Sequence, residues 1–117
     1  MSLRMPQSLY GGARQQTGVN VLEVEIAQQK AQTLGDLGRG LELALSRLAA
    51  FDAQAAPNAE AGPAVDAARA ALLDAAADRA WTFMIQRELC GLRNWDAVVK
   101  SYAIPRAVLN RMGKVGR

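Results

Sequence analysis

Apolar positions recur at helical rather than strand spacing along most of the chain. In "VLEVEIAQQKAQTLGDLGRGLELALSRLAAFDA", residues 21–53, Ala27, Leu34, Leu41 and Leu48 stand seven apart, with Leu37, Ala44 and Phe51 between them. A stripe of this kind is the seam of paired helices. Just upstream, Asn20 and Glu23 have capping-box spacing, and Val19 and Val24 are placed as a hydrophobic staple. A first long helix is therefore predicted over residues 20–53, after a flexible N-terminal arm of residues 1–18. Gly35, Gly38 and Gly40 interrupt this helix, each costing about 1 kcal/mol relative to alanine. The Leu34–Leu37–Leu41 stripe passes through them in phase, so a continuous helix is expected, with a neighbour packed where side chains are missing. The alternative is a kink between residues 35 and 40.

"AQAAPNAEAGPAV", residues 53–65, reads as a linker, and its Pro63 suits the first position of a second helix over residues 63–90. The first half of that helix is alanine-rich, with Val65, Ala68, Leu72 and Ala76 on one stripe. The second half carries Trp81, Phe83, Met84, Ile85 and Leu89 around most of its circumference and needs cover on more than one side. Gly91 fits the left-handed residue that ends a helix. Asn94 can cap a short helix over 95–102, and Pro105 can start another over 105–113. The predicted fold class is all-α: residues 19–117 form one domain, a long antiparallel helical hairpin carrying two short C-terminal helices. Two hairpins joined as a dimeric four-helix bundle would cover the remaining apolar surface. The expected seam, in the core or between copies, is Leu34, Leu37, Leu41, Leu48, Phe51 and Trp81.

Composition agrees with helix and removes much chemistry. Half of the 117 residues are apolar, but only two Trp, two Tyr and two Phe are aromatic. No window is long and apolar enough to span a bilayer, and no signal-peptide pattern opens the chain, so no membrane partner and a cytoplasmic location are expected. The absence of His removes the usual general base and the commonest metal ligand. The single cysteine, Cys90, lies in an apolar run and reads as a small buried hydrophobe. No phosphate-cradling glycine motif occurs. Asp74 and Asp78 could share a helix face, yet a solvated outer face near Arg69 and Arg79 accounts for them. Arg87 and Glu88, within "QRELCGLR", read as polar ties between the second helix and the C-terminal pair. Neither catalytic nor metal residues are predicted, no cofactor is expected, and an enzyme is not.

Charge is unevenly spread. The net charge is +3, but residues 1–90 hold eight basic and ten acidic side chains, whereas residues 91–117 hold six basic ones against Asp96 alone. Such a basic segment suits an anionic partner, although a merely solvated terminus would look the same. "NWDAVVKSYAIPRAVLNRMG" also has the apolar spacing of a helix-turn-helix, at Val98, Tyr102, Ile104, Leu109 and Met112. On that reading Lys100, Arg106, Asn110, Arg111, Lys114 and Arg117 contact nucleic acid. Two departures count against it: Val99 where a small residue is usual, and Ala103 where glycine is usual. The expectation is therefore a small non-enzymatic interaction or regulatory protein acting as a homodimer, with a DNA-binding regulator as the alternative.

"MPQSLYGGAR", "VLEVEIAQQKA", "QRELCGLR" and "YAIPRAVLNRMG" together resemble a family of short, uncharacterised bacterial proteins known only as a domain of unknown function. The resemblance implies a single stand-alone domain and carries no activity or functional residues with it.

Overall fold

The computed structural model describes residues 4–58 and 62–113, with the side chains of 18, 20–55 and 62–113. Four helices follow one another, α1 (Arg4–Asn58), α2 (Pro63–Leu89), α3 (Trp95–Tyr102) and α4 (Arg106–Leu109), and there is no strand among the described residues. The contacts divide the chain into two units, Met1–Thr33 and Leu34–Arg117. The division thus falls beside Leu34, where the packed stripe begins.

In the first unit the helical backbone already starts at Arg4, ahead of the expected start at residue 20. Pro6 lies in the first turn, where a missing N–H removes no helical hydrogen bond. Asn20 and Glu23 consequently lie inside the helix, and the expected cap is not formed, because an N-cap needs non-helical backbone. Every described side chain from Asn20 to Thr33 is exposed.

The second unit is an antiparallel pair formed by residues 34–58 of α1 and by α2, with α3 and α4 packed on it. The direction is plain from its contacts: Gly38 faces Phe83, Gly40 faces Arg79, and Asp52 binds Arg69. Leu41, Ala44 and Leu48 are buried against Leu73, Ala76, Ala77, Ala80 and Phe83. Leu34 and Leu37 are half-buried on that core, and Phe51 is half-buried. Trp81, the remaining residue of the expected seam, is 41% exposed within a single chain. The buried face of α2 also differs from the expected Val65–Ala68–Leu72–Ala76 stripe, since Val65 and Ala68 are exposed. Alanines surround this helix, so its pattern has little phase of its own. Small Ala76, Ala77 and Ala80 are the fully buried residues of α2 in this core.

α1 runs unbroken through its glycines, as expected. A Cβ at Gly38 would lie 2.6 Å from the Tyr102 hydroxyl, and one at Gly40 would lie 3.3 Å from Arg79 Nη1. The missing side chains make room for α3 and for an arginine of α2.

α2 starts at Pro63 and ends as a Schellman motif. The Leu92 N–H donates to Arg87 O at 2.8 Å, the Gly91 N–H donates to Glu88 O at 3.0 Å, and Gly91 has φ of +82°. Asn94 Oδ1 accepts from the Ala97 N–H at 3.2 Å and opens α3 as expected. Trp95 and Tyr102, near the two ends of α3, clasp the Phe83 ring with centroids at 6.3 and 5.6 Å. Val98, Ile104 and Val108 complete the core under this aromatic group.

The end of α3 carries a strained residue. Ala103 adopts φ 52°, ψ 52°, with its N–H on Lys100 O and the Ile104 N–H on Val99 O. This is a Schellman turn with alanine in the left-handed position, which costs an L-residue about 1–2 kcal/mol. Ala103→Gly is expected to stabilise the chain by about 1 kcal/mol, read as a higher urea midpoint at unchanged slope.

α4 is shorter than the expected 105–113 helix. After Leu109 the hydrogen bonds tighten, from Asn110 N–H on Arg106 O to Arg111 N–H on Val108 O, and the chain turns at Gly113 with φ of +75°.

Candidate functional site

The basic C-terminal residues have different surroundings. Lys100, Arg106 and Asn110 are exposed. Arg111, expected to project outward, instead donates to Asp74 Oδ1 at 2.7 Å, and both partners are about one-third exposed. Met112 and Leu109 pack on the core, and Gly113 lies on Trp81, where an added Cβ would meet the ring at 3.1 Å. The chain after α4 is therefore drawn onto α2, which carries Arg111 to Asp74. Lys114 and Arg117 lie outside the described residues. Four helical residues span about 6 Å, which is short for a helix that must read a major groove.

In the acidic pair of α2, Asp78 is exposed and Asp74 is half-buried. Asp74 is held by Arg111, Arg69 reaches Asp52 on α1, and Arg79 lies across Gly40. Arg87 makes no ion pair with the C-terminal helices. Its guanidinium sits 5.8 Å from the Phe83 ring centre, and its buried Nε has no hydrogen-bond partner among the described residues. Glu88 is exposed. Cys90 is half-buried, 4.0 Å from Gln86 Nε2.

A groove of about 690 Å³ opens where α1, α2 and the α3–α4 turn meet. Its apolar side is Leu45 and Leu48, its hydroxyls come from Ser46, Ser101 and Tyr102, and Ala103 with Pro105 forms the far rim. At one end Arg69 grips Asp52 through Nε at 2.8 Å and Nη2 at 3.2 Å. The sequence gives no sign of this groove, because Asp52 and Arg69 are 17 positions apart and meet only through the hairpin. The lining contains acids, hydroxyls and one arginine, but no nucleophile paired with a base. Among the described residues no group of three potential metal ligands forms, and no helix is long and apolar enough to cross a membrane.

The hydrogen bonds from Arg69 hold the Asp52 carboxyl below the usual carboxylate range, and those to Asp52 hold the Arg69 guanidinium above its own. With a folded value below the unfolded one, the pair stabilises the fold above the ordinary carboxylate pKa of about 4, and that stabilisation is lost as pH falls through the lower folded value. Both side chains are more than two-fifths exposed, so solvent screening limits the effect to below about 1 kcal/mol. Asp52→Asn is expected to lower stability slightly at pH 7 and not at pH 2, measured by urea titration at both values.

The most conspicuous surface is apolar. On α2, Trp81, Ile85 and Leu89 follow at four-residue spacing with Leu92 beyond, and Leu89 is 72% exposed. In the first unit Val21, Leu22, Val24 and Ile26 are all exposed as well.

No curated protein and no solved structure matches this chain. A family model described as a family of unknown function does match, over residues 1–117. The chain belongs to that family, DUF6665.

Proposed function

We propose that the protein is a small, non-enzymatic interaction or regulatory protein that acts as a homodimer. The observation that carries this reading is the uncovered helix of the first unit. Val21, Leu22, Val24 and Ile26 lie on a stretch, Asn20–Thr33, whose every side chain is exposed. Helices in proteins draw most of their stability from packing an apolar face. Contiguous exposed apolar residues mark interaction surfaces. Trp81, Ile85, Leu89 and Leu92 make the same demand in the second unit.

The alternative, a DNA-binding regulator, draws support from exposed Lys100 and Arg106. The brevity of α4 and the engagement of Arg111 by Asp74 weigh against it. On this reading the groove takes no part in catalysis, because its lining pairs no nucleophile with a base. Light scattering at micromolar concentration is expected to give twice the 12.5 kDa chain mass. A monomer at that concentration overturns the homodimer.

A further inference from the structure

We infer that the groove where α1, α2 and the α3–α4 turn meet binds a small aliphatic monoamine, its ammonium group on Glu42 and Ser46 and its hydrocarbon stem along Leu45 and Ala49. The site lies within one copy, so it stands or falls independently of the homodimer. Its shape suits a small ligand. Glu42, Leu45, Ala49 and Asp52 follow one another on a single stripe of α1 and form one wall. Ser101, Ala103 and Pro105 form the opposite rim. The space between them, about 690 Å³, falls in the range of small-molecule sites.

Charge decides the occupant. The charged side chains of the lining are Glu42, Asp52 and Arg69, two carboxylates against one guanidinium. Arg69 and Asp52 satisfy each other through two hydrogen bonds, at 2.8 and 3.2 Å. Glu42 is left over, with no ion pair or hydrogen bond among the described residues. The groove therefore carries one carboxylate in excess on a chain whose net charge is +3. An anion would face that carboxylate and have to compete with Asp52 for Arg69. An ammonium group instead donates charge-assisted hydrogen bonds to Glu42, and the Ser46 hydroxyl, one turn along α1, accepts another. The stem then covers half-buried Leu45 and exposed Ala49, which removes apolar surface from water. A second ammonium group finds no free carboxylate, because Asp52 is already held by Arg69.

The test titrates the isotope-labelled full chain with n-hexylamine and follows backbone amide shifts. Saturable shifts are expected within residues 42–52 and 101–105. n-Hexanol should bind about tenfold more weakly, because it keeps the stem and loses the charge. Hexanoate should not bind there, and hexamethylenediamine should bind no more tightly than n-hexylamine. Glu42→Gln changes an exposed residue, so its melting curve should be unaltered while the preference for amine over alcohol disappears. Ala49→Phe, also at an exposed position, should fill the groove and abolish the shifts without altering the melt.

Equal binding of hexanoate or n-hexanol, or an unchanged amine affinity in Glu42→Gln, would overturn the assignment of the ammonium group. Tighter binding of the diamine would overturn the single-charge ligand. Saturable shifts confined to Trp81–Leu92, or their persistence in Ala49→Phe, would overturn the groove as the site.

Discussion

Leu41→Asp unfolds the chain rather than dissociating a dimer. Leu41 has no exposed surface within a single chain, where it packs among Leu73, Ala76, Ala77 and Ala80 of the core. A carboxylate there has no cation to meet, and among the described residues no polar or charged one is fully buried. Removing the leucine loses about 2–5 kcal/mol of packing, and an unpaired buried charge adds several more. Small domains hold about 5–15 kcal/mol in all, so little or no folded protein should remain. Circular dichroism should show loss of cooperative melting at every concentration. A folded monomer would mean that Leu41 lies in an interface between copies and not in the core.

The second large effect is a double-mutant cycle between Gly38 and Tyr102. A Cβ at Gly38 would lie 2.6 Å from the Tyr102 hydroxyl, well inside contact distance, and 3.5 Å from Phe83 Cζ, which is ordinary contact. The Tyr102 ring is seated on Phe83 and cannot swing freely. Gly38→Ala is therefore expected to destabilise by about 1–3 kcal/mol, the usual size of overpacking, despite its better helix propensity. Tyr102→Phe removes the clashing oxygen. In that background the same Gly38→Ala change should become neutral or stabilising by up to about 1 kcal/mol. Chemical denaturation of the four proteins measures the coupling. An additive cycle would mean that α3 does not approach α1 at Gly38.

How much of this is legible in the sequence depends on how local each signal is. Gly91 ends α2 and Asn94 caps α3 as expected, because both motifs are satisfied by hydrogen bonds within a few residues. The Leu34–Leu37–Leu41–Leu48 stripe is legible because leucine alternates there with charged and small residues in a clear helical phase. The expected Asn20 cap fails for a related reason. Its residues have the right types, yet the backbone before them remains helical, and a side-chain pattern cannot report that.

Other features needed the assembled fold. Asp74 meets Arg111 across 37 positions, and Asp52 meets Arg69 across 17, so neither pair leaves a trace at helical spacing. Val108 is fully buried, yet the apolar spacing points to Leu109 and Met112, because a helix of four residues has too few turns to show a phase. By itself the sequence determined an all-helical chain, a leucine seam, two of its helix ends and the exclusion of histidine chemistry, all set by residue type and short spacing. Tertiary structure decided which face of the alanine-rich α2 is buried, where the arginines find their acids, and that Trp81, Ile85 and Leu89 stay exposed. Alanine buries equally well on any side, so the phase of such a helix is chosen by the leucines, glycines and rings packed against it.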